Sequence, residues 1–246
     1  LFGGWAAPAE PMPALPGNRA GEAPAPRVIV VDMPDADQSA VSVGLRGIAR
    51  SDPDYYPLTI ANSALGGSST ARLFQEVRVR RALSYGAYTA FQTYRDEGVL
   101  VAQARTRNDA APEVAQVMLA EIQRLATERL SDEVIENRRT LLTGGFGRQV
   151  ETTSGLAAFL ANLAIQGVPM EEYGRFVPSL AAVTPDQIAA SVAAELDPRQ
   201  ASIIIVGRAS EFIDALRARY PDLELIPFGD LDLASPALGG AEAGGQ

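Results

Sequence analysis

The sequence predicts an α+β fold, a two-layer structure in which a mainly antiparallel sheet is covered on one face by helices. Three observations carry this. The elements read strand, strand, helices, hairpin, several helices, strand, helix, strand, which is not the repeating βαβ order of a parallel α/β protein. Residues 40–46 (AVSVGLR) alternate apolar and polar, as a strand with one buried face does. Between 111 and 129, Val114, Val117, Met118, Ile122 and Leu125 fall on one side of a helix, leaving it an apolar stripe to lay on a sheet.

In order along the chain, residues 1–26 are rich in Pro, Ala and Gly around a lone Trp5 and read as an interdomain linker in extended form. The folded domain is expected over 27–232, and 233–246 reads as a disordered tail. The β-branched run 28–31 is a strand, followed by a turn through Pro34, Asp35 and Asp37 and by the strand at 40–46. A helix over 52–65 starts at Asp52-Pro53 and stops at Gly66, with Pro57 forcing a kink or a later start. A second helix is expected over 70–81, capped by Ser69 or Thr70. Strands at 85–94 and 99–105 enclose the turn 95–98. After the 111–129 helix, Ser131-Asp132-Glu133-Val134 opens another, which Gly144, Gly145 and Gly147 should disturb by a kink or close packing. Helices at 153–166, 171–182 and 185–196 follow. A buried strand at 201–206, a helix at 210–220 and a strand at 223–226 complete the domain.

Composition narrows the chemistry. All 21 basic residues are Arg, and the chain has no His, Cys or Lys. That excludes a tight zinc site, a thiol nucleophile, a Ser-His triad and a Schiff-base lysine within this chain. A net charge of −9 argues against nucleic acid, whose phosphates require a clustered basic surface. Apolar runs are broken too often to span a bilayer, and no stretch has the order of a signal peptide. The chain opens on Leu1, which fits a fragment or processed product of a longer protein. Zero Cys suits a reducing cytoplasm and a disulfide-free exported, periplasmic protein alike, so the compartment stays open.

The most informative stretch is 62–88, NSALGGSSTARLFQEVRVRRALSYGAY. Gly66 and Gly67 end a helix, although bare backbone there also suits a bound peptide. Arg78, Arg80 and Arg81 form a basic cluster, which reads either as ion pairs with Glu76 on a solvated face or as an anion site. Seven positions after Arg78, Tyr85 starts a strand. Spacing alone leaves both as ordinary surface residues. Asp32, Asp35 and Asp37 lack the glycine and distal Glu of a calcium loop and read as a polar turn. Glu133 and Glu136 share a helix face and, without His, hold no transition metal. The 144–147 glycines match no phosphate loop.

Gly66-Gly67, Arg72-Leu73-Phe74 and the Arg78–Tyr85 spacing, followed by a hairpin and by Leu130-Ser131-Asp132-Glu133, resemble the C-terminal half of pitrilysin- or insulinase-type zinc metallopeptidases, the superfamily of the mitochondrial processing peptidase. Phe2-Gly3-Gly4-Trp5 is similar to the aromatic end of that family's N-terminal half. The family's zinc motif, H-x-x-E-H with a distant Glu, is missing. The resemblance therefore implies the non-zinc half of a zinc endopeptidase, inactive alone, with zinc in an N-terminal half or partner subunit and an unfolded peptide enclosed between the two. It implies catalytic roles for Arg78 and Tyr85, and substrate contacts for Gly66, Gly67 and Ser68. The alternative on the same fold is a catalytically inert assembly subunit, which would have no need of the Arg78–Tyr85 pair. The Lys-free composition fits a high-GC bacterial source.

Overall fold

The computed structural model describes residues 25–239 together with Gly4. The rest of the 1–26 segment read as a linker, and residues 240–246, lie outside the described residues. Six strands form one sheet: β1 (Val28–Asp32), β2 (Ser39–Gly47), β3 (Ser84–Thr93), β4 (Gly98–Thr106), β5 (Ser202–Gly207) and β6 (Glu224–Pro227). Their order is β3-β4-β2-β5-β1-β6. The pairs β3–β4, β4–β2 and β2–β5 are antiparallel, as the alternating patterns and the 95–98 hairpin predict, whereas β1 runs parallel to both β5 and β6. The parallel end arises because helix α8 (Ile213–Arg219) carries the chain from β5 across to β6, and a helical crossover returns a strand in the same direction.

The remaining helices are α1 (Tyr55–Leu65), α2 (Arg72–Phe74), α3 (Ala111–Thr127), α4 (Asp132–Val150), α5 (Thr153–Gln166), α6 (Glu172–Ala182) and α7 (Pro185–Glu195). The helix-facing side of the sheet is the core. Val41, Val43 and Leu45 of β2 and Leu100, Ala102 and Ala104 of β4 are buried, and α3 lays Val114, Met118, Ile122 and Leu125 on them. Each such Leu, Ile or Val contributes about 1.5–3 kcal/mol by leaving water. Ala40, Gln103 and Arg105 point to the other, uncovered face.

That second face is closed at one end. Leu231 and Leu238 cover Ile29, Val31 and Ile226, and residues 231–239 form a turn held by Asp232 N–H donating to the Leu238 carbonyl at 2.9 Å. Arg27 ties the turn down: Nε and Nη2 donate to the two carboxylate oxygens of Glu224 at 2.7 and 2.6 Å. Nη1 donates to the Pro236 carbonyl and Nη2 to the Ala237 carbonyl, both at 2.9 Å. The segment read as a tail from 233 onward is thus held as far as Gly239, because it covers apolar surface the sheet would otherwise expose.

Two local expectations are corrected. The helix expected over 70–81 begins at Arg72 after an extended, uncapped Ala71, and from Gln75 to Arg80 it is π-helical. The Ser68 and Thr70 hydroxyls accept from Arg138 Nη1 instead, at 2.9 and 3.1 Å. The 144–147 glycines leave α4 continuous. A Cβ on Gly144 would meet only the Arg148 side chain at 3.5 Å, and one on Gly147 would meet nothing. On an open face these glycines cost conformational entropy, about 1 kcal/mol each relative to Ala, without breaking the backbone ladder. Pro57 is the third residue of α1, inside the first turn, where its missing N–H has no intrahelical partner to lose.

Candidate functional site

The site residues are positioned by the passage from α1 to β3. Helix α1 ends at Leu65, and the next two residues are pressed against neighbours. A Cβ on Gly66 would lie 2.5 Å from the Thr89 backbone nitrogen, and one on Gly67 would lie 2.8 Å from the Ser63 Cα. Thr89 N–H donates to the Gly66 carbonyl at 3.0 Å, so the helix end is docked on β3, the edge strand. The two glycines therefore answer to close packing, and only Gly67 faces outward. Gly67 and Ser68 line a hollow of about 460 Å³ with Asn62, Thr89, Gly145 and Phe146. The loop after them is braced by Arg138, which is only 9% exposed. Burial lowers its pKa, and it bonds neutral oxygens only: the Ser68 and Thr70 hydroxyls and the Thr70 carbonyl at 3.0 Å.

The π-helical stretch carries Arg78, and wide turns of this kind are concentrated at functional sites. It closes on Ala82 at φ 51°, left-handed backbone that an L-residue adopts at a cost of about 1–2 kcal/mol. Leu83 N–H reaches back to the Val77 carbonyl at 2.9 Å, turning the chain directly into β3. There the register slips: Ser84 faces Thr106 and Ala87 faces Ala104, so Tyr85 and Gly86 together oppose Arg105. A bulge of this kind re-aims side chains and bends the strand. Tyr85 consequently stands 84% exposed.

Arg78 and Tyr85 are brought together. The Arg78 guanidinium carbon lies 4.1 Å from the centre of the Tyr85 ring and 5.1 Å from that of Phe74, whose ring in turn sits 5.6 Å from Tyr88. The cation sits over the ring, and its N–H groups have no hydrogen-bond partner among the described residues. Beside the pair opens a groove of about 660 Å³ on the uncovered sheet face, lined by Tyr85, Tyr88, Ala40, Ser42, Gln103 and Arg105 among others. Gly67 and Ser68 line a separate hollow and buried Gly66 lines neither, so the predicted site residues are not gathered into one site. Of the basic cluster, Arg80 pairs with Glu76 and Arg81 lies 3.7 Å from the same carboxylate, the ion-pair reading.

The family described as the peptidase M16 inactive domain matches residues 1–142. The chain belongs to that family. An uncharacterized zinc protease of Streptomyces coelicolor is 29% identical to it over 213 residues, covering 85% of this chain and 46% of that protein. The structure of a peptidase M16 inactive domain from Pseudomonas fluorescens superposes on this M16 inactive domain with a TM-score of 0.68 at 21% identity, over 74% of this chain and 43% of that one. A protease from Helicobacter pylori gives 0.70 at 15% identity, over 76% and 45%. This M16 inactive domain thus spans about half the length of the relatives it matches.

Whether zinc fits this half is answered by its donor set. The chain has neither His nor Cys, and no group of three or more acidic residues suited to a metal ion occurs among the described residues. Asp32, at the start of the acidic turn, instead accepts the Ala209 N–H at 3.0 Å. The relatives are named zinc proteases, and the described residues of this chain offer no group of donors for that metal. No helix among the described residues is long and apolar enough to cross a membrane.

Sequence reasoning did not single out Arg105, Tyr88 or Arg138. The outward parity of Arg105 in the alternation of β4 was readable, whereas the bulge that sets it opposite Tyr85 was not.

Proposed function

We propose that this chain is the substrate-binding, non-zinc half of a zinc-dependent endopeptidase, closing over a zinc-bearing half to hydrolyse unfolded peptides. The observation that carries this reading is Tyr85: a large aromatic residue lifted out of a bulged strand, lying under an arginine that has no hydrogen-bond partner among the described residues, at the rim of an open groove. Burying that ring would be the default for a residue with structural work alone.

During hydrolysis, negative charge develops on the carbonyl oxygen of the attacked peptide bond. The Tyr85 hydroxyl, a neutral donor, hydrogen-bonds that oxygen. Arg78, held over the ring, offers its free N–H edge to a neighbouring substrate carbonyl and fixes the direction of the phenol. In the isolated chain the hydroxyl faces water, where such a bond is weak. Closure by the zinc-bearing half removes the water and makes it count. This accounts for an expected lack of activity in the chain alone. Gly67 and Ser68, in the neighbouring hollow, contact the peptide further along.

The test is hydrolysis of an unstructured peptide by this chain mixed with its zinc-bearing half. Tyr85→Phe lowers turnover by about 10²–10³-fold, the usual loss for one oxyanion donor. Its melting temperature stays that of the wild type, because the lost hydroxyl makes no internal bond. Unchanged turnover in the variant refutes the assignment. Tight association of the halves without any hydrolysis favours the assembly-subunit reading instead.

A further inference from the structure

The groove beside Tyr85 has an electrostatic character opposite to that of the chain. The protein carries a net charge of −9, yet among the described residues no Asp or Glu lines this groove, while Arg105 and Arg107 both do. Arg107 is held by Asp109 at 3.0 Å. The Arg105 guanidinium has no hydrogen-bond or ion-pair partner among the described residues, and the β3 bulge sets it directly across from Tyr85 and Gly86. The small residues Ala40 and Ser42 line the groove beside it, while the Tyr88 ring packs over Gly86, where a Cβ would lie 2.8 Å from its Cε2.

Resting on the peptide-binding reading above, we propose that Arg105 makes this groove a subsite for an Asp or Glu side chain of the bound peptide. An unpaired guanidinium, with a rigid fork of donors, matches a carboxylate in two-point geometry. Among the described residues no carboxylate lines the groove to compete for it, and nearby Asp109 is engaged by Arg107. The ring of Tyr88 and the exposed face of Tyr85 flank the peptide stem on the way in. On that peptide-binding reading an internal peptide bond lies at Tyr85, so the carboxylate beside it is assigned to a side chain within the peptide and not to its C-terminus.

The test measures binding of fluorescein-labelled unstructured peptides, with amidated C-termini, to the 246-residue chain with and without its zinc-bearing half. Peptide pairs differ by one Glu-to-Gln change, and low salt keeps the contribution of a partly exposed charge visible. The Glu peptide is expected to bind about fivefold to tenfold more tightly, the range for a charge-assisted contact at a half-open site. Arg105→Gln abolishes the preference, and Arg105→Glu turns it toward a Lys-containing peptide. Both variants lie on the outward side of β4 and leave the core untouched. Equal binding of Glu and Gln peptides by the wild type overturns the acidic subsite while leaving the peptide-binding reading intact. A Gln peptide synthesised with a free C-terminus that binds as tightly as the amidated Glu peptide overturns the side-chain assignment. No binding of any peptide, even with the zinc-bearing half present, overturns both readings.

Discussion

Replacing Glu172 by Gln tests whether the contact between α1 and α6 rests on charge. The Arg50 guanidinium donates to Glu172 Oε1 at 2.7 Å and lies 3.6 Å from the centre of the Tyr55 ring, and the Tyr56 hydroxyl donates to the same carboxylate. The two charged side chains are only 7% and 13% exposed. Gln keeps the shape and an acceptor for Tyr56 but strands the Arg50 charge in a dry site. Removing one member of a buried pair costs about 3–5 kcal/mol. The Tyr55 face and the new amide oxygen still receive the cation, which places the expected loss near the lower end, about 3 kcal/mol. For a domain of this size that corresponds to a fall of about 6–12 °C in melting temperature. Urea unfolding followed by circular dichroism measures it directly. Arg50→Met combined with Glu172→Met should be less harmful than Glu172→Gln alone, since no charge is left unpaired. A single variant within about 0.5 kcal/mol of wild type, or a double variant as damaging as the sum of its parts, refutes the reasoning.

Three further outcomes follow from the same structure. Burial first, then its bond to Glu172, raises the Tyr56 pKa above its usual value, so the folded chain holds a proton that the unfolded chain releases above about pH 10. Stability is therefore full below that pH and declines as the pH rises beyond it, and Tyr56→Phe should flatten the decline in urea midpoints measured between about pH 8 and 11. Ala82→Gly removes left-handed strain and should raise stability by up to about 1 kcal/mol; a loss would show that Ala82 is not strained. Arg138→Ala cuts three bonds to Ser68 and Thr70, so amide exchange at residues 66–71 should quicken, with stability falling by about 2 kcal/mol.

The parts of the fold legible in the sequence are those governed by one-dimensional periodicity. The alternation at 40–46 became β2 with Val41, Val43 and Leu45 inward, and the stripe from Val114 to Leu125 became the core face of α3. The Ser131 cap was readable for the same reason, being a local bond from its own side chain to the Val134 N–H. What sequence could not supply depends on distant partners. The hydroxyl of Thr70 looked like a helix cap until Arg138, some seventy residues away, is seen to engage it together with that of Ser68. The 144–147 glycines looked like a break because nothing local says that their side of α4 faces open space. At the candidate site, the approach of Arg78 to Tyr85 depends on a π-helical turn and a bulge. Each is a single-residue irregularity that leaves no trace in hydrophobic pattern.

The clasp made by Arg27 bears on how the domain is suspended. The chain enters β1 one residue after Arg27, and the segment leaving β6 passes Pro236 and Ala237, both hydrogen-bonded to that same guanidinium. Entry and exit therefore share one corner. Any force transmitted along the chain from either side would therefore reach the domain at the parallel end of the sheet, β5-β1-β6. The groove-bearing β3–β4 edge, with Tyr85 and Arg105, lies across the sheet from that corner.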